Sequence, residues 1–85
     1  MTQVDTAFRA VSRGDHGAFA RWVGLVEIPL RGSLRRFARQ VDVEAIVQEG
    51  LLRMWRLASR VELEGEDASL RYALRLVRNL ALREG

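Results

Sequence analysis

Between Phe19 and Phe37 the apolar residues Phe19, Trp22, Val23, Val26, Leu30, Leu34 and Phe37 recur at three- and four-residue steps. That spacing stacks them on one side of a helix and rules out an alternating strand for this part of the chain. The expected element is a long second helix from about His16 to Gln40, with Asp15 as its N-cap. Pro29 lies inside the stripe, where it removes one backbone donor and crowds the carbonyl of Leu25. A kink is expected there. The stripe persists beyond Pro29, which favours one kinked helix over two.

The same period organises the rest of the chain. Val4, Phe8 and Val11 mark a short first helix from Thr2 to Ser12, broken by Arg13-Gly14. Asp42 caps a third helix, from Val43 to about Ala58. A polar, acidic connection containing Gly65 follows, and the fourth helix begins near Asp67 or Ser69. Its inward residues are Leu70, Ala73, Leu74, Val77, Leu80 and Ala81. No strand alternation, internal repeat or low-complexity tract interrupts this pattern. The fold class is therefore all-α, a compact bundle of about four helices in a single domain spanning 1–85.

Composition removes several kinds of chemistry. Cysteine is absent, so thiol catalysis, thiolate metal sites and disulfides are excluded. His16 is the only histidine and stands beside an N-cap, away from any serine cluster, so a nucleophile–base pair is not expected. Glu62, Glu64 and Glu66 alternate without the glycine pattern of a calcium loop, and no glycine-rich phosphate loop exists. The expectation is a protein that is not an enzyme and takes no metal or cofactor. The amino end lacks the pattern of a signal peptide, and no apolar run approaches the ~20 residues of a membrane span. A soluble, cytoplasmic chain is expected.

Charge is unevenly distributed. The formal net charge is +3, from 14 basic and 11 acidic residues. Glu62, Glu64, Glu66 and Asp67 hold four of the acids, which leaves 14 bases against 7 acids, or +7, in the rest. All the bases are arginine, whose planar fork suits phosphate and carboxylate. A basic body beside an acidic loop points to nucleic-acid contact on one surface and repulsion on another.

Two helix faces stand out. On the third helix Val43, Ile46, Val47, Gly50, Leu51, Met54, Leu57 and Ala58 face one way and read as core. Ala45, Gln48, Glu49, Leu52 and Arg56 form a stripe on the other side, where a solvated face needs neither a Leu nor an Ala. That stripe is shaped to meet a partner. On the fourth helix Arg71, Arg75 and Arg78 share a sector of about 60°, flanked by Asn79 and continued by Arg83. The row can follow a phosphate backbone, and Asn and Arg can also read base edges. The spacing equally fits a solvated face. Tyr72 beside it can stack on an unpaired base or sit at the core edge.

These residues, in this order, resemble the second conserved region of bacterial RNA polymerase sigma factors, closest to the extracytoplasmic-function type. The resemblance rests on Gly14-Asp15-His16-Gly17-Ala18-Phe19, on Asp42 to Trp55 with its Gln48-Glu49 pair, and on Arg78-Asn79 in the fourth helix. It extends from about Val4 to Arg83. It implies a sigma-type role in transcription initiation: Gln48 and Glu49, with Leu52 and Arg56 on the same stripe, would dock on the clamp helices of the largest subunit of RNA polymerase core. Arg78 and Asn79 would contact the −10 promoter element and assist its melting. Arg71, Arg75 and Arg83 are added from the helical stripe, and Tyr72 takes the place of the family tryptophan. An anti-sigma factor is a further partner of such a domain, and no membrane is expected.

Three departures accompany the resemblance. The family's acidic residue three before the glutamine is Ala45, and loss of a well-desolvated charge pair costs ~2–5 kcal/mol. The connection from Glu62 to Asp67 is acidic, and these residues hold no counterpart of the domain that reads the −35 element. That is expected either of an isolated domain or fragment of a longer factor or of a single-domain sigma-like protein that has lost or redirected the function. The departures motivate an alternative, a degenerate sigma-like module that binds an anti-sigma factor or itself without promoter activity.

Overall fold

The computed structural model describes residues 1–84, which form four α-helices and one short 3₁₀ turn. In chain order these are α1 (Gln3–Ser12), α2 (His16–Ser33), the 3₁₀ turn (Arg35–Phe37), α3 (Val43–Ala58) and α4 (Ala68–Glu84). α1 packs chiefly on α2, and α3 chiefly on α4. The bundle closes around Phe8, Trp22, Val26, Leu30, Leu34, Val47, Met54 and Val77. These sit at the helical spacing expected of them, because only that spacing turns one face of each helix inward.

The start of each of the first three helices is determined locally. The side chains of Thr2, Asp15 and Asp42 accept from the backbone N–H three residues on, at Asp5, Ala18 and Ala45. Each satisfies one of the donors that a helix start leaves open. Arg31 then fastens α2 to the first turn of α3 through two bonds to Glu44, at 2.7 and 3.1 Å. The hydrogen bond from Arg31 holds the Glu44 carboxyl below the usual carboxylate range. Arg31 also pairs with Glu27 at 3.5 Å, so its guanidinium is shared between two carboxylates.

The second helix is shorter than its stripe implies. It passes through Pro29 but ends at Ser33, not near Gln40. Gly32 and Ser33 are weak helix formers, and Ser33 turns its hydroxyl back onto the carbonyl of Leu30 at 2.7 Å. From Leu34 onward the backbone tightens to three-residue bonds, Leu34 N–H to Arg31 and Phe37 N–H to Leu34. Leu34 stays fully buried through this change.

A clasp of side chains joins the amino end to the start of α4. Asp67, just before α4, has φ 54°, a left-handed conformation that Asp tolerates better than most residues. Its carboxylate accepts from the Thr2 hydroxyl at 2.6 Å, and its N–H donates to Asp5 Oδ2 at 3.3 Å. Asp5 also accepts from the Thr2 N–H at 3.2 Å. Asp67 is therefore engaged with α1 and is not an ion-pair partner of Arg71.

This clasp makes stability depend on acid. Partial desolvation pushes the Asp5 carboxyl upward, but hydrogen bonds from Thr2 and Asp67 outweigh it and hold the group below its ordinary 3.8. A carboxyl lowered on folding stabilises the fold above its unfolded value, and that contribution is lost as pH falls through the folded value. Between about pH 5 and about pH 3, Tm should therefore fall more steeply for the unsubstituted chain than for Asp5→Asn. Parallel curves in thermal melts would show that the clasp is not linked to Asp5 ionisation.

Candidate functional site

The α3 stripe is exposed along its whole length. Ala45, Gln48, Glu49, Leu52 and Arg56 are all solvent-facing, and Leu52 is 44% exposed. Glu49 pairs with Arg53, one turn on, at 2.9 Å. A surface pair of this kind contributes at most about 1 kcal/mol, so it orients the carboxylate without removing it from use. The opposite face of α3 buries Ile46, Val47, Gly50, Met54 and Ala58, with Val43, Leu51 and Leu57 half-buried at its margins.

On α4 the buried side is Ser69, Ala73, Val77 and Ala81. Arg71, Tyr72, Arg75, Arg78, Asn79 and Arg83 are all exposed, and at about 100° per residue they share an arc of about 140°. Leu82 falls inside the same arc and is exposed; no motif singled it out. Among the described residues, none of the four arginines pairs with a carboxylate. Tyr72 is 40% exposed, which places it on this face and not in the core. The arrangement is a cationic surface with one amphipathic ring, suited to a polyanion that also offers flat apolar groups.

The two helices cross at a point that ties these faces together. A Cβ on Gly50 would fall 2.6 Å from Cγ1 of Val77, so α3 and α4 approach too closely there for any side chain. Gly50 follows Gln48-Glu49 directly and Val77 precedes Arg78-Asn79 directly. The contact residues are buried, and the polar pairs beside them point outward.

The acidic connection lies toward α1. Glu62, Glu64 and Glu66 line a groove of about 560 Å³ with Arg9 and Arg13. It approaches the basic face at Gly65, where an added Cβ would stand 2.9 Å from Nη2 of Arg71. Beneath it, Ser69 is buried and accepts from the Trp22 indole N–H at 2.9 Å. At the other end of α3, Trp55 meets Phe19 edge-on at 4.9 Å and His16 at 5.4 Å between ring centres.

Among the described residues no cluster of His, Asp and Glu is disposed to hold a metal. No helix is long and apolar enough to cross a membrane. No curated protein and no solved structure matches the chain. A family model does: sigma-70 region 2 matches residues 27–84, from the middle of α2 to the end of α4. That span is well over half of the chain and includes both exposed faces, so the protein belongs to the sigma-70 region 2 family and has a role in transcription initiation through binding of RNA polymerase.

Proposed function

We propose that this is a region 2 domain of the extracytoplasmic-function type, with α3 docked on the polymerase clamp helices and α4 on the −10 element. The observation that carries the reading is the α4 face, where four exposed arginines have no carboxylate partner among the described residues and stand beside Tyr72 and Asn79. Unpaired guanidinium groups bind phosphate without first breaking an internal ion pair. Arg78 and Asn79 lie against the strand, Arg71, Arg75 and Arg83 extend the phosphate track, and Tyr72 stacks on an unpaired base. Stacking of this kind is worth about 1–3 kcal/mol per base. Melting is assisted because the face holds single strands better than paired ones.

On α3, Gln48 and Glu49 supply polar contacts to the clamp helices, Leu52 the apolar centre and Arg56 a peripheral charge. The Gly14 to Phe19 opening supports the extracytoplasmic-function assignment. Ala45, exposed at the head of the stripe, leaves this interface without one charged contact. It favours the second reading, a module that binds a regulator and not polymerase.

Two binding measurements on the purified chain separate these readings. Replacing Gln48 and Glu49 together by Ala should weaken binding to core polymerase about tenfold, or about 1.4 kcal/mol. Arg78→Ala should lower affinity for a single-stranded −10 oligonucleotide and reduce its log–log salt slope by about 0.7. If the unsubstituted chain binds neither polymerase nor oligonucleotide at low salt, the proposal is wrong.

A further inference from the structure

A second recess lies at the far end of α3, between its last turn and the α1–α2 turn. It holds about 350 Å³ and is lined by Val11, His16, Trp55, Ala58, Arg56 and Arg60 among others. We infer that this recess docks a short acidic peptide segment of a partner protein, one that carries an apolar anchor flanked by carboxylates.

Three observations converge on that occupant. Trp55 is 36% exposed, although Phe19 and His16 pack against its ring. An aromatic fixed from behind and open in front gives up little freedom on binding, and Trp and Arg are the residues that dominate protein interfaces. Arg56 and Arg60 are exposed, and neither pairs with a carboxylate among the described residues.

At the end of α3 the backbone turns back on itself. The Leu57 carbonyl accepts from the N–H groups of Arg60 at 2.9 Å and Val61 at 3.1 Å. With no carboxylate partner among the described residues, the Arg56 and Arg60 guanidinium groups match an external carboxylate in geometry. The size and lining favour a peptide over a nucleic acid. An apolar recess of this volume takes one or two side chains, whereas a polynucleotide needs a row of cations such as α4 carries.

The test is selection of random peptides on the intact chain, followed by titration of the selected peptide by tryptophan fluorescence. Trp22 is fully buried, so a change at the binding surface is reported by Trp55. The selected peptides should carry at least two acidic residues beside an aromatic or large aliphatic one. Arg60→Glu, at an exposed position, should weaken binding at least tenfold without changing Tm. Trp55→Leu should weaken it as well, with circular dichroism confirming that the variant is folded.

No enrichment, enrichment of peptides without acidic residues, or affinity untouched by Arg60→Glu would each overturn the inference. So would displacement of the peptide by a thymidine oligonucleotide through the same arginine. Neither polymerase nor promoter DNA enters this experiment, so its outcome is read separately from that of the proposed function.

Discussion

Trp22→Ala should lower stability by about 3–5 kcal/mol, the largest loss expected of any single substitution in this domain. Trp22 is fully buried, with Phe8 at 5.2 Å and Phe19 at 5.8 Å between ring centres. Its removal deletes apolar contact and also leaves Ser69 without its indole donor. A domain of this length has a total stability on the order of 5–10 kcal/mol, so the variant should be partly unfolded at 37 °C. Urea unfolding followed by circular dichroism measures the loss. Trp22→Phe separates the contributions: it keeps most of the packing, loses the hydrogen bond, and should cost about 1–2 kcal/mol. A Tm for Trp22→Ala within a few degrees of the unsubstituted chain would mean that the core is not organised around this ring.

Gly50→Val should cost about 2–3 kcal/mol, because the new side chain meets Val77 where α3 and α4 cross. Both residues would be branched at Cβ and have one favoured rotamer in a helix, so neither can swing aside. Helix propensity works in the opposite direction, since Gly is the weaker former by a few tenths of a kcal/mol or more. The steric contribution is isolated by repeating the change in a Val77→Ala background, where the cost should fall below about 1 kcal/mol. Equal costs in the two backgrounds would locate the strain elsewhere. The folded fraction of Gly50→Val should also lose polymerase and oligonucleotide binding together, since both faces take their orientation from this crossing.

Most of the architecture could be read from periodicity, and the places where it could not have physical reasons. α3 follows its expected bounds because Asp42 caps it and its buried residues, Ile46 to Ala58, keep to one face. The end of α2 was hidden because Leu34 and Phe37 are three apart, a spacing shared by the α-helix and the 3₁₀ turn. Periodicity sees the stripe and not the backbone bonds beneath it. Trp22 was legible as core, but its partner Ser69 is 47 residues away and carries no local signal. The Thr2-x-x-Asp5 spacing is a helix-start signature; the involvement of Asp67 was not visible, because nothing in sequence announces a left-handed Asp. Trp55 is a boundary residue, backed by a histidine whose role as a packing surface no spacing rule suggests.

The exposed stripes were legible as faces, since a helix that buries one side must present the other. That the α4 arginines meet no carboxylate among the described residues was not, because it depends on where Glu62, Glu64, Glu66 and Asp67 turn. The acidic connection, which by composition alone sits badly beside a DNA-binding helix, lines a groove shared with α1.

The clasp of Thr2, Asp5 and Asp67 has a consequence for the order in which this domain assembles. Its contacts join residues 62 and 65 positions apart, nearly the whole length of the chain. Contacts at such separation close a large loop, and the entropy of that closure is recovered only once the intervening helices have packed. The first turn of α4 thus takes its final form among the last steps of folding. The residues that complete it come from the opposite end of the sequence and lie outside the span matched by the family. The helix proposed to read DNA is thus completed by residues that stand far upstream of it.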